Sequence, residues 1–465
     1  MTRRPRVTCR APVALAFATL IVSALPYGWS ARVVAQDSST QIDALVQEAI
    51  KAGQTPGAVV LVGHGDEILF QKAYGQRAVV PSAEPMTMDT IFDLASLTKV
   101  VATTTAMMRL VEQGRVRLND PVAAFVPGFE RYNKGAITVR HLLTHVSGLR
   151  PDVDLGDPWK GHDAAIELAR NEVPTAAPGE RFVYSDINFF LLGDIVSRVS
   201  GLPLDQYLQR DVFGPLDMDD TGFNPPASKR GRIAPTERCA EMSAWPCNNP
   251  EAAPLRGTVH DPTARRMGGV AGHAGLFSTA RDLSRFARML LNEGRLGDVQ
   301  ILTPLTVVKM RSPATPDGMP SVRGLGWDID TSFSSNRGEL FPIGSFGHTG
   351  FTGTSIWIDP STRGYVIFLS SRLHPDGKGD VTPLRSRVAT VAAAGLGLSA
   401  ATAATGRLNV DPLQRMTGTD FGAAPVALPP SAAAARRRSG AASPRSRPRG
   451  RVLPRQRSQC VIAAA

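Results

Sequence analysis

The sequence predicts an α/β (α+β) protein: a central antiparallel sheet flanked by helices, joined to a mainly helical lobe. Two observations predict it. Strand-like segments lie far apart in the 465-residue chain, at 57–75 and 347–371, so one sheet must be assembled from distant parts of the sequence. Between them, from about 96 to 295, the apolar pattern is mainly helical, with loops rich in Pro and Gly. Resting a helical lobe on a sheet leaves a cleft, where sites tend to lie.

The elements follow in chain order. Arg3, Arg4, Arg6 and Arg10 precede an apolar stretch from Val13 to Leu25, and "VVAQD" puts Val33 and Ala35 at −3 and −1 of a cleavage point before Gln36. Residues 1–35 therefore read as an export leader that meets the membrane only transiently, because the apolar run is too short for a good spanning helix. The exported chain is expected in the periplasm or outside the cell. "QIDALVQEAIKAG" (41–53) has helical spacing and a glycine stop. "GAVVLVGHGDEILFQKAYG" (57–75) reads as two strands around a Gly-Asp turn, and "DLASLTKV" opens a helix ending at Gly114. "GHTGFTGTSIWIDPSTRGYVIFLSS" (347–371) reads as a two-stranded hairpin and 381–398 as a closing helix. One domain over 36–400 results, its sheet lobe drawn from 41–95 and 300–398. The Arg-, Pro- and Ala-rich residues 401–465 read as a disordered tail.

The net charge of +11 is carried by the ends. Residues 1–35 hold five arginines and no acid, residues 401–465 hold eleven arginines and two aspartates, and 36–400 is left at −3. A specific nucleic-acid partner is therefore not expected. Cys239 and Cys247 flank a loop-like stretch and are expected to pair in an oxidising compartment.

Of 52 basic residues only eight are lysine, and only Lys99 has a serine three positions before it. Ser96 and Lys99 share one helix face, one turn apart. A serine hydroxyl needs a base, and a lysine amine whose pKa is lowered by burial can serve, which arginine cannot. Tyr184, Ser185 and Asp186 sit on a turn before an apolar helix, and a tyrosine hydroxyl can relay a proton. His348-Thr349-Gly350 opens a strand whose edge would present the Phe351 N–H, with the Ser96 N–H, as an oxyanion hole. Gly350 would allow close substrate approach. His260, Asp261 and His273 match no metal spacing, and no metal or cofactor is expected; that loop, with His273, is expected to line the cleft.

Taken together and in this order, "SLTK", "YSD" and "HTG" resemble the motifs of the penicillin-recognising serine hydrolases, a superfamily of beta-lactamases, penicillin-binding proteins, DD-peptidases and esterases. "ITVRHLLTHVSGL" (137–149) and "GGVAGHAGLFSTARDLSRFARMLLNEG" (268–294) extend the resemblance, which covers about 41–398 and is nearest to the class C-like serine hydrolases and low-molecular-mass penicillin-binding proteins. It implies a beta-lactamase/transpeptidase-like fold, Ser96 as acylated nucleophile, Lys99 as base partner, Tyr184 as second proton shuttle and 348–350 as the substrate-facing strand. Two positions depart from the family pattern. Asp186 stands where asparagine is usual, and could pair with Lys99. His348 stands where lysine is usual, removing a fixed cation for a beta-lactam carboxylate. The resemblance thus implies an exported serine hydrolase acting on cell-wall peptides or small esters and amides. The alternatives are a true beta-lactamase and a non-enzymatic penicillin-binding or scaffold protein.

Overall fold

The structure, a computed structural model, describes residues 28–239, 247, 249 and 251–396. The tail expected over 401–465 and residues 1–27 of the expected leader lie outside the described residues. A helix, Gly28–Lys51, runs through the expected cleavage point.

Eight antiparallel strands form the sheet. From one edge the order is Glu84–Pro85, Glu67–Ala78, Gly57–His64, Gly364–Ser370, Ser355–Asp359, Phe346–Thr349, Asp328–Asp330 and Val322–Arg323. The first and last thirds of the chain meet at its centre, where Val60 pairs with Phe368 and Leu61 with Ile367. Strand 57–64 is buried on both faces, which is why it reads as an unbroken apolar run rather than an alternating one. Its period of two still sorts the side chains. Ala58, Val60 and Val62 join Val366 and Phe368 against Ile42, Val46, Leu384 and Val388 of the two terminal helices. Val59 and Leu61 join Ile367, Leu369 and Ile356 in the larger core shared with the helical lobe.

The region expected as a two-stranded hairpin is three strands. Gly350 and Gly353 fall in a tight turn at 350–354 that ends the strand Phe346–Thr349 before Ser355–Asp359 begins, with Gly353 at φ +111°. His348-Thr349 therefore closes a strand of its own instead of opening the next. A second, small sheet pairs Phe92–Asp93 with Leu276–Ser278, and the latter with Gly222–Phe223. Strands of two or three residues carry no readable period. Yet this sheet fixes the approach to Ser96, because the Leu94 N–H donates to the Leu276 carbonyl at 2.9 Å. Cys239 and Cys247 are joined by a disulfide.

Candidate active site

Ser96 follows a strained turn. Ala95 has φ +48°, a left-handed conformation that costs a residue with a Cβ about 1–2 kcal/mol. Several bonds hold it. The Ala95 N–H donates to Asp93 Oδ1 at 2.9 Å, and the Thr98 hydroxyl donates to the Ala95 carbonyl at 2.6 Å. The other Asp93 oxygen accepts the His260 N–H at 2.7 Å, tying the turn to the loop that carries Asp261. From the sheet side, Thr352 and Thr354 hydroxyls donate to the Asp93 and Leu94 carbonyls at 2.7 and 3.0 Å. Gly350 packs here too: a Cβ on it would lie 2.4 Å from the Leu94 oxygen and 2.2 Å from Thr354 Oγ1. The missing side chain allows close packing of the strand end on the turn that carries Ser96. The Ser96 N–H has no acceptor among the described residues, and Phe351 lies in the same 350–354 turn, its ring covered by the Arg372 guanidinium 4.6 Å from the centroid.

Residues 99–104 form wide, π-helical turns, which are common at functional sites. They begin at Lys99, whose side chain is fully buried. Its Nζ donates to Ser96 Oγ at 3.1 Å and to the His273 carbonyl at 3.1 Å, and lies 2.6 Å from Asp186 Oδ1. The Tyr184 ring lies beside it, with its centroid 5.0 Å from Nζ. The expected lowering of the Lys99 pKa is not what these surroundings produce. Burial does press it down, but the Asp186 carboxylate and Tyr184 outweigh burial and raise it, so the resting side chain is an ammonium. Asp186, the departure from the family pattern, is the reason.

His348 is buried. Its Nδ1–H donates to the Thr349 carbonyl at 2.7 Å, leaving Nε2 as an acceptor with no partner among the described residues. Burial, with Arg323 and Lys99 nearby, holds it well below the usual histidine range. It is a neutral ring 6.1 Å from that of Tyr184. His273, expected to face substrate, does not: its side chain is 1% exposed and its Nε2 lies 2.9 Å from Asp261 Oδ1. Its contribution to Lys99 is its carbonyl. His260 turns away to Glu237 Oε1 at 2.5 Å, so the two histidines of that loop do not converge. Asp186, Asp261 and His273 instead bring two carboxylate oxygens and a ring nitrogen within 4.8 Å of one another. The Lys99 ammonium and the His273 ring already engage those oxygens, which makes the group an ion-pair cluster.

Three contributors were missed by the sequence reading. His145 stacks on Tyr184 with centroids 4.4 Å apart, and its Nδ1 accepts the Ser185 N–H at 3.0 Å. Its signal was the "THVSGL" stretch already quoted for the resemblance. Arg323, fully buried and held by the Gly326 carbonyl at 2.9 Å, lies 5.9 Å from the Tyr184 centroid. Asp152 accepts the Thr263 hydroxyl at 2.7 Å beneath the same cluster. Neither Arg323 nor Asp152 sits in a recognisable motif.

The geometry accords with the comparisons. The chain matches the Beta-lactamase family over residues 42–390. It is 32% identical over 362 residues, covering 72% of this chain and 82% of the relative, to an Escherichia coli (strain K12) protein named "Putative D-alanyl-D-alanine carboxypeptidase". The solved structure of EstCE1, described as a hydrolase with promiscuous acyltransferase activity, shares the fold with a TM-score of 0.63 at 22% identity, over 78% of this chain and all (100%) of that one. A penicillin-binding protein homologue from Caulobacter crescentus does so with a TM-score of 0.63 at 22% identity, over 77% of this chain and 98% of that one. With three quarters of its length matched and its sheet and helical lobe arranged as in these structures, the chain belongs to the beta-lactamase family of hydrolases.

Proposed function

We propose that the protein is a serine hydrolase that works through an acyl-enzyme at Ser96, on the amide bond of a D-alanyl-type cell-wall peptide or on a small ester. The observation that carries this reading is the convergence of Ser96 Oγ, Tyr184 and Asp186 on the buried Lys99 ammonium. In acylation Ser96 Oγ bonds to the substrate carbonyl carbon. The Lys99–Tyr184 pair must first release one proton to solvent, since Lys99 rests as an ammonium; the pair, acting as one unit, then takes the Ser96 proton and passes it to the departing amine or alkoxide. The negative oxygen of the tetrahedral intermediate is received by the Ser96 N–H, with the Phe351 N–H as second donor. Water then cleaves the ester of Ser96 by the same route. The relatives named as carboxypeptidases favour the peptide. A neutral, buried His348 disfavours the rival reading of an efficient beta-lactamase, since no fixed cation stands at that position. The third reading, a non-enzymatic binding protein, predicts that no reagent acylates Ser96.

We also propose export, with the mature chain beginning near Gln36. The charged and apolar halves of residues 1–35 support it, and so does the Cys239–Cys247 bond, since disulfides persist in oxidising compartments. One comparison tests the activity: turnover of a D-alanyl-D-alanine peptide, p-nitrophenyl acetate and nitrocefin, with intact-mass detection of a Ser96 adduct. Turnover of the peptide or ester with slow nitrocefin hydrolysis is expected. Rapid nitrocefin turnover establishes the beta-lactamase instead, and no adduct with any of the three ends the serine-hydrolase reading. N-terminal sequencing of the secreted protein tests export, and a start at Thr2 in the cytosolic fraction would refute it.

A further inference from the structure

Beneath Lys99 lie three titratable side chains that the acyl-transfer steps above do not use: Asp152 and Asp261, both half-buried, and the buried His273. Three carboxyl groups, Asp152, Asp186 and Asp261, face two basic groups, Lys99 and His273. Each pairing is set by a separate element. Asp186 opens the helix Asp186–Ser200, and its N–H donates to the Pro151 carbonyl at 2.7 Å, which brings Asp152 alongside. Asp261 caps the helix Pro262–Arg266, whose Thr263 hydroxyl donates to Asp152. The His273 carbonyl accepts from Lys99 Nζ, and its ring Nε2–H donates to Asp261. Asp186 and Asp261 carry two negative charges against one on Lys99. Without a second cation the pocket would hold a net negative charge around the fully buried Lys99, which is unfavourable.

We propose that Asp152, Asp261 and His273 form a charge-balancing network that sets how tightly the Lys99–Tyr184 pair holds its proton, with His273 as its cationic arm and Asp152 as its titrating arm. The inference rests on the acyl-enzyme reading for its consequence, not for its geometry. The surroundings support the assignment of charges. Burial presses His273 down, but Asp261 outweighs it and raises its affinity for a proton. Burial pushes Asp261 up, and His273 outweighs that and holds it low. Asp152, half-buried and facing Asp186 and Asp261, is pushed up to about 7, so its acid form keeps the group neutral below that pH. The other ionisable neighbours are Tyr184 above Lys99 and Asp93, which faces Asp261; Arg323, His145 and His348 lie on the far side, both histidines held well below their usual range.

The two arms make opposite predictions, which a purely structural role would not. His273→Gln removes a positive charge and leaves Lys99 holding its proton more firmly. The acid limb of the kcat/KM profile should therefore move up by about one pH unit. Asp152→Asn removes a negative charge that appears as the pH passes neutrality, so the limb should move down, by about half a unit or more. Thr263→Val, which deprives the Asp152 carboxylate of a donor, should move it in the same direction as Asp152→Asn. The substrate is p-nitrophenyl acetate. Shifts of one sign in all three variants, or a uniform loss without a shift, would overturn the network. A second readout needs no turnover. In protein labelled with 13C-histidine, His273 should titrate above the ordinary histidine value and at lower pH in Asp152→Asn. A His273 that titrates at or below 6.5 and ignores Asp152→Asn sinks the inference even if the enzyme is active. An inactive wild type with the expected titration removes the acyl-enzyme reading and leaves the network standing.

Discussion

At the scale of single residues, the site turns on what a buried lysine can do. Ser96→Ala removes one hydroxyl and should abolish the acyl adduct while leaving the fold intact. Lys99→Arg keeps the charge beside Asp186 but cannot pass on a proton, and its planar fork does not fit the three converging acceptors of Nζ. Its kcat should fall at least about 10²-fold, the usual range of a lost general base. An active Lys99→Arg enzyme would end the assignment of Lys99. His348 poses a different question. An exposed imidazole would shape the pH profile near neutrality, but this one is buried and held neutral. His348→Gln is thus expected to alter kcat/KM without moving the inflections of the profile by more than about 0.3 unit. A displaced acid limb would show that His348 titrates after all.

Elements matter where they meet. The turn at 350–354 and the turn at 93–96 that carries Ser96 share hydrogen bonds and a contact that admits no Cβ. Gly350→Ala should push the two apart, and a displacement of about 1 Å at a reacting group costs about 10²-fold in rate. The expected signature is a fall in kcat with a small change in melting temperature. Unchanged kcat would show that the two turns are not coupled. Elsewhere Glu84, on the edge strand, takes both Arg256 nitrogens at 2.7 Å and Arg77 Nε at 2.9 Å. The Arg256 hydrogen bonds, with Arg77 assisting against the effect of burial, hold its carboxyl down at about 2 instead of 4.5. A depressed carboxyl contributes stability that is full above about 4.5 and is lost as the pH falls toward 2. Glu84→Gln should therefore cost about 1 kcal/mol at pH 7, and wild type and variant should converge near pH 2. A difference that persists there would point to packing instead of charge.

For the whole molecule, the two terminal helices are the outer layer of the sheet. Ile42, Val46, Leu384, Val388 and their neighbours bury one entire face of strands 57–64 and 364–370, each large side chain contributing roughly 1.5–3 kcal/mol. The domain thus needs the chain up to about residue 395. Residues 405–465 are too poor in large apolar side chains to form a core. Deleting them should leave the melting temperature within about 2 °C and hydrolysis unchanged. A larger drop would show that the tail docks on the domain.

The sequence by itself determined the framework and pointed to the candidate site residues. The strands Gly57–His64 and Glu67–Ala78, the helix behind "SLTK" and the closing helix are long enough for their periods to show. Ser96, Lys99, Tyr184 and Asp186 lie in short motifs, where spacing alone places side chains on one face or at one helix start. What lay beyond reach were properties set by partners distant in the chain. The three-residue strand 276–278, the union of Gly350 with Leu94, and the meeting of Asp152 with Asp186 and Asp261 carry no local pattern. The charge state of Lys99 was the sharpest case. Sequence argues from burial, which lowers a lysine. Only the tertiary structure puts a carboxylate 2.6 Å from that amine, and at such a distance in a dry site the attraction outweighs the cost of burial.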